Sequence, residues 1–353
     1  MKQLLSFLVI ISAFFTTCTA KITGNAPANL LSDEWKNIVT KNYNEFIAEV
    51  DGDENKVPII VTTDQHGAIT MDSQVYDFFN KLVDWSKVSK ILNLGDTVRN
   101  EYNFRELFAY QAATRNLPSE KRIEVCGNHD RAGLKTSDGM KVSRIFFHTD
   151  GAVYSADKRV FVVTDKQFGI RYLAVDPKVS PWSYGSGFLT KDMADFIIKE
   201  FAKTNEPDIV LISHPYLFKD AVIDRDGQTF TGSEWFIGDA ENYTQSRDSF
   251  IEMLEARKNG TSGVLVDSEG VSHPYDFSKA DSEFLMTLHG HHHTEGYETK
   301  NGITEFLFQS MTYDNAKNTE PLCTYFAYID KQTNTLKVWK NLEGYSAWEI
   351  TFA

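Results

Sequence analysis

The chain has 353 residues, 42% of them hydrophobic and 24% charged, values close to the globular average, which excludes wholesale disorder and collagen-like repeats. Acids outnumber bases 49 to 36 for a formal charge of −13, and a surface of that sign disfavours a nucleic-acid backbone as the main partner. At ~100–200 residues per domain the length allows one large domain or two smaller ones, with a core large enough to need no disulfide staples.

Met1-Lys2 leads into an almost unbroken apolar run over residues 4–15, followed by small and polar residues through Cys18-Thr19-Ala20. This is the layout of a secretory signal peptide cut after Ala20. Residues 1–20 are therefore read as a signal peptide, 21–353 as a single domain, and the protein as secreted or extracytoplasmic. The apolar run is too short to span a membrane, which takes ~20 residues, and no later stretch is long and apolar enough. Lipidation at Cys18 is the alternative, although Phe15-Thr16-Thr17 is a poor lipobox. Cys126 and Cys323 remain in the mature chain; two cysteines make no disulfide framework, and whether they pair is left open.

Residues 31–50 place Trp35, Ile38, Val39, Tyr43, Phe46 and Ile47 at spacings of three and four, an amphipathic helix with Ser32 as its cap. A β-branched run over 57–62 ends in Asp64-Gln65-His66-Gly67. Helices are expected over 71–87 and 101–116, and strands over 91–94, ending at Gly95-Asp96, and 123–126, ending at Gly127-Asn128-His129-Asp130. Strands and helices that alternate in this way imply a parallel sheet with right-handed crossovers. Ligands of such sheets bind beyond the carboxyl ends of the strands, so the polar turns share one edge.

The second half adds a hairpin of 160–163 with 172–175 around Phe168-Gly169. A helix over 189–203 and a strand over 209–212 lead to Ser213-His214-Pro215; a helix over 245–258 and a strand over 284–288 lead to His289-Gly290-His291-His292-His293. The tail alternates through 304–307, 325–329 and 336–339 and reads as antiparallel strands closing a second sheet. Residues 131–152 and much of 216–282 fit no regular pattern and read as irregular insertions, of the kind that form lids or substrate walls.

Four of the nine histidines fall within five residues. Five strand-end motifs carry the chemistry: Asp64-x-His66, Gly95-Asp96, Gly127-Asn128-His129-Asp130, His214, and Gly290-His291-x-His293. Carboxylate oxygen and imidazole nitrogen suit first-row divalent metals better than calcium. So many ligands at one sheet edge suggest two ions, which need a bridging carboxylate; Asp96, between the other motifs, is the natural one. Singly, each motif has a bland reading. Gly95-Asp96 is a common turn dipeptide, Gly127 suits a turn needing positive φ, and His214 beside Pro215 could be an ordinary loop histidine. In an extended segment His289 and His292 would point away from His291 and His293.

The ordered set D-x-H, G-D, G-N-H-D, H and G-H-x-H, from Asp64 to His293, resembles the calcineurin-like metallophosphoesterase superfamily. The resemblance implies an α/β (α+β sandwich) fold of two mixed β-sheets packed together and flanked by helices. It implies that Asp64, His66 and His293 hold a first metal, that Asp96 bridges, and that Asn128, His214 and His291 hold a second. His129 would be the catalytic histidine beside the phosphate, and a hydroxide shared by the ions the nucleophile. The ions would be two divalent or trivalent metals drawn from manganese, iron and zinc. Arg99 is a candidate substrate-binding residue, since arginine forks suit phosphate; its alternative is a surface arginine at a helix start. The protein-phosphatase branch has Asp-Arg-Gly after this motif and the purple acid phosphatase branch a tyrosine at the position of Arg99. Asp96-Thr97-Val98-Arg99 fits neither.

The expected function is that of an exported binuclear phosphoesterase acting on small phosphomonoesters or phosphodiesters, with no nucleic acid as partner. A non-catalytic metal-binding scaffold on the same fold is the alternative. It is disfavoured because every motif position, His129 included, is filled.

Overall fold

The computed structural model describes residues 31–67, 69–99, 104–130, 137–176, 189–218, 221–230, 241–311 and 322–353. The expected signal segment and Cys18 lie outside them.

Helix α1 (Asp33–Val50) begins where the sequence says it should: the Ser32 side chain accepts the Trp35 N–H at 3.0 Å, and Asp33 and Glu34 complement the helix dipole in the first turn. Then come β1 (Lys56–Thr62), α2 (Ile69–Leu82), β2 (Lys90–Asn93), α3 (Phe104–Thr114) and β3 (Arg122–Glu124). β1, β2 and β3 pair in parallel, as the alternation of elements requires. After α4 (Ser137–Phe146) and β4 (Val153–Tyr154), β5 (Val160–Asp165) and β6 (Ile170–Val175) form the expected antiparallel hairpin. α5 (Lys191–Phe201), β7 (Asp208–Ser213), β8 (Val222–Ile223), β9 (Thr229–Phe230), α6 (Glu241–Asn259), β10 (Ser262–Val266), β11 (Ser272–Asp276) and β12 (Phe284–His289) follow. The chain closes through β13 (Gly296–Lys300), β14 (Ile303–Leu307), β15 (Tyr325–Asp330), β16 (Thr335–Lys340) and β17 (Trp348–Thr351).

Two mixed sheets result. One has the order β17-β16-β15-β1-β2-β3, the other β4-β5-β6-β7-β12-β14-β13-β8-β9, and β10 with β11 forms a separate hairpin. Their facing sides interdigitate. Val57, Ile59 and Val61 alternate inward along β1 to meet Tyr172, Val210, Ile212, Leu288 and Phe306 of the other sheet. Ile60, on the opposite face of β1, joins Phe46, Phe79 and Trp339 under α1 and α2. α5 and α6 cover the outer face of the second sheet through Met193, Ile197, Phe201, Phe250 and Leu254. The fold is thus an α/β sandwich of two mixed sheets flanked by helices.

The tail departs from its expectation. Of the three strands expected there, only that of 304–307, β14, lies in the second sheet, and it runs parallel to β12. β15 and β16 instead extend the first sheet, β15 antiparallel to β1 with Ile59 opposite Ala327. The unbroken apolar run along 325–329 identifies a strand but not the edge it joins; the choice falls to Phe326 and Trp339, which give α1 its apolar floor. The segments read as irregular also hold regular elements, namely α4, β8, β9, β10 and β11. The strands among them have two to five residues, too few for a period to declare itself in the sequence.

Candidate metal centre

Every sequence motif lands at the carboxyl end of a parallel strand: Asp64 and His66 after β1, Asp96 after β2, Asn128 and His129 after β3, His214 after β7, His291 and His293 after β12. Backbone hydrogen bonds carry the ladder past the strands. Asp64 N–H donates to Gly95 O and His66 N–H to Asp96 O, both at 2.9 Å, and Gly290 N–H donates to His214 O at 3.1 Å.

The backbone there is unusual. Asp64, His66, Asp96, His291 and His293 all have φ between 48° and 72°. They are five of the nine non-glycine residues in the left-handed region among the described residues, so the costly conformations concentrate at this edge. Residues 290–293 therefore bend away from the extended run expected, with His289 still closing β12. His289 and His292 still lie apart from the ligands: His289 is buried, while His292 stacks on Phe230 at 5.1 Å between ring centroids.

Two glycines make the convergence possible. A Cβ on Gly127 would sit 2.1 Å from Asp96 Oδ1, and one on Gly290 2.0 Å from Thr63 Oγ1. Gly127 is required by close approach, and positive φ, the turn explanation offered by sequence, is absent there.

The side chains form two overlapping groupings. In the first, His293 Nε2 lies 3.2 Å from Asp64 Oδ1 and 2.9 Å from His66 Nε2. In the second, His214 Nε2 lies 3.2 Å from Asp96 Oδ2, 3.1 Å from Asn128 Oδ1 and 3.0 Å from His291 Nδ1. Asp96 is near both, its Oδ2 being 3.9 Å from His66 Nε2. Asp64, His66, Asp96 and His214 form a buried floor; Asn128, His129, His291 and His293 form a partly exposed rim.

Electrostatics tell the same story. Burial opposes the charge on Asp64, but the His214 and His293 rings outweigh it and hold the carboxyl at about 2. Burial likewise opposes ionisation of Asp96, and His214, His66 and His129 overcome it and lower its pKa. Burial disfavours a charged His214, yet Asp96 and Asp64 raise it to about 9. Desolvation of the His291 ring, with His214 beside it, pushes it down to about 3. Imidazole nitrogens that face one another at 2.9–3.0 Å, with carboxylate oxygens alongside, are a donor set that fits first-row metal ions. Three groupings could each hold one: Asp64, His66 and His293; Asp96, His214 and His291; and His66, Asp96 and His129.

His129 stands differently from the rest. Its Nδ1 lies 2.6 Å from Arg99 O, a carbonyl that only accepts, so Nδ1 carries a proton. Its Nε2 is 3.9 Å from Asp96 Oδ2 and its ring meets His66 edge-on. The Arg99 N–H donates to Glu106 Oε2 at 2.8 Å, its carbonyl orients His129, and the residue is exposed. Asp130 fixes loops: its carboxylate accepts the N–H groups of Gly127, Val98 and Thr97. Burial, with Asp96 nearby, raises it to about 7. Cys126 and Cys323 are both free thiols, and burial pushes each to about 12.

No family profile matches this chain, and no curated protein matches it. Among solved structures it is similar to the purple acid phosphatase PPD1 of yellow lupin, at 12% identity over 84% of this chain and 54% of that one, TM-score 0.47. PhoD follows at 10%, over 84% and 68%, TM-score 0.46, and a putative 5′-nucleotidase of Staphylococcus aureus at 13%, over 84% and 54%, TM-score 0.41. The chain spans about half the length of the phosphatase and of the nucleotidase. At such values the likeness says nothing of what this chain does. Fold and motif order are consistent with the calcineurin-like metallophosphoesterase superfamily.

Sequence reasoning about that superfamily missed the residues that hold the ligands in place. Thr63 Oγ1 donates to Asp64 Oδ2 at 2.7 Å, and Ser310 Oγ to Asp64 O at 2.9 Å. Asn93 Oδ1 accepts the Gly95 N–H at 3.2 Å, within a buried network of Thr97, Tyr110 and Glu124. These are common residue types at strand ends, and only the tertiary placement marks them. Among the described residues no helix is long and apolar enough to cross a membrane.

Proposed function

We propose that this protein is an exported phosphoesterase with a two-metal centre, acting on small phosphomonoesters or phosphodiesters and not on nucleic acid. The observation that carries this reading is the pair of ligand groupings that meet at Asp96 and open towards His129. Cations held there, whether manganese, iron or zinc, supply charge neutralisation for the phosphoryl oxygens and lower the pKa of a water. Asp64, His66 and His293 hold one ion, Asn128, His214 and His291 the other, and Asp96 lies between them. The half-exposed rim leaves room for a substrate that the buried floor does not. His129 keeps its Nδ1 proton on Arg99 O, so Nε2 donates only when the ring carries both protons. In that form it is a general acid for the leaving-group oxygen. Arg99, exposed and linked to His129 through its carbonyl, is the candidate for holding a non-reacting phosphate oxygen.

The test is hydrolysis of an aryl phosphomonoester and an aryl phosphodiester by protein as purified, after chelation, and after return of manganese or zinc. Activity that disappears and returns with the metal supports the reading. Full activity in thoroughly stripped protein would sink it, and metal uptake with no hydrolysis of either ester would favour the scaffold.

A further inference from the structure

Beside the metal centre lies a second buried cluster, formed around His289 by residues outside the motifs. Glu305 on β14 is fully buried. Its Oε2 accepts the Leu217 N–H at 2.7 Å and its Oε1 the Phe218 N–H at 2.5 Å. The same Oε2 lies 3.0 Å from Nε2 of His289, also fully buried. On its other side His289 Nδ1 is 3.0 Å from Ser213 Oγ, whose hydroxyl donates to Pro215 O at 2.7 Å. Thr287 Oγ1 completes the set, 2.8 Å from His289 Nε2.

These contacts converge on two loops. Ser213 immediately precedes His214, and residues 215–218 continue from it; His289 immediately precedes Gly290-His291. One carboxylate on β14 therefore fastens both the His214 loop and the root of the His291 loop, and those two histidines stand 3.0 Å apart in one ligand grouping. In the other grouping Asp64 rests on different supports, Thr63 and Ser310, and His66 lies on the β1 loop; only His293 shares the loop that His289 roots. Burying a carboxylate is costly unless its oxygens are fully used. Both oxygens here are used, and on backbone donors of a loop that carries a proposed ligand.

We infer that Glu305, acting through His289 and the 215–218 backbone, is a positioning residue that sets the geometry of the His214–His291 metal subsite and bears less on the Asp64–His66–His293 subsite, with which it shares only the His293 loop. This rests on the two-metal reading above. Partners that orient metal ligands typically contribute ~10–100-fold to metal affinity.

The test is a cobalt(II) titration of the metal-free full chain, followed by visible absorption, for wild type, Glu305→Gln, Glu305→Asp and Asn128→Ala. Glutamine has one acceptor oxygen, so one of the two loop N–H groups loses its partner. The expected result is that Glu305→Gln weakens by ~10–100-fold the binding step that Asn128→Ala also weakens. The other step stays within about threefold, and Glu305→Asp recovers part of the loss by restoring the carboxylate. Ser213→Ala, which deletes one hydroxyl, carries the same comparison if Glu305→Gln does not fold. Wild-type cobalt binding with both steps unchanged in the variants would overturn the inference, as would equal weakening of both steps. A wild-type chain that takes up no cobalt would instead overturn the metal-centre reading itself.

Discussion

His214 and His129 occupy the same edge yet are held for different tasks. His214 is sealed between Asp96 and Asp64, which raise its pKa to about 9 against the opposing effect of burial. A metal ligand must be the neutral imidazole. Ion binding below about pH 9 must therefore expel this proton, and affinity should rise as pH rises towards that value and flatten above it. Calorimetric cobalt titrations at pH 7 in two buffers of different protonation enthalpy should report net proton release; none would contradict this picture. His129, half-exposed and held by Arg99 O, should behave otherwise. His129→Ala should keep its metal and lose ~10²–10⁴ in turnover, with the smaller loss on substrates that have good leaving groups. Metal analysis on the kinetic samples decides it, because loss of metal would make His129 a ligand.

The ligands reach one another because of the loops between elements, and loop chemistry is where a glycine matters most. Gly127 lies so close to Asp96 that a methyl group there would overlap Oδ1 and the main-chain nitrogen. Gly127→Ala should push the β3 loop away from the β2 loop, costing metal affinity and activity together while the sheets remain. Far-ultraviolet circular dichroism with metal analysis would show it, and a fully loaded, fully active variant would refute the packing argument. At this scale much was legible beforehand. Strands β1, β2, β3, β7 and β12, and the motif at each carboxyl end, follow from apolar runs that stop at polar, glycine-marked turns. What stayed hidden was the left-handed backbone at five of the motif residues, and the anchors Thr63, Ser310 and Glu305. Those depend on which strand ends meet in space, and no local pattern records that.

Across the whole molecule the same limit explains the tail. Residues 325–329 and 336–339 announce strands, but their sheet is chosen by helix α1, whose Phe46 stacks on Phe326 at 5.5 Å and meets Trp339 edge-on at 5.8 Å. Phe46 is fully buried, so Phe46→Ala should destabilise the protein by ~3–5 kcal/mol in denaturant unfolding. A change under ~1 kcal/mol would mean that α1 is not the cap on the first sheet. That sheet brings Asp64, Asp96 and Asn128 to the common edge, and the second brings His214, His291 and His293, so the centre exists only where the two sheets meet. Metal content per chain tests this most directly. Protein purified without chelator and saturated with manganese or zinc should hold two ions, and Asp96→Asn, which weakens the carboxylate common to both groupings, should hold one or none. A wild-type chain that saturates at a single ion, or an Asp96→Asn chain that still binds two, would contradict a centre built around Asp96.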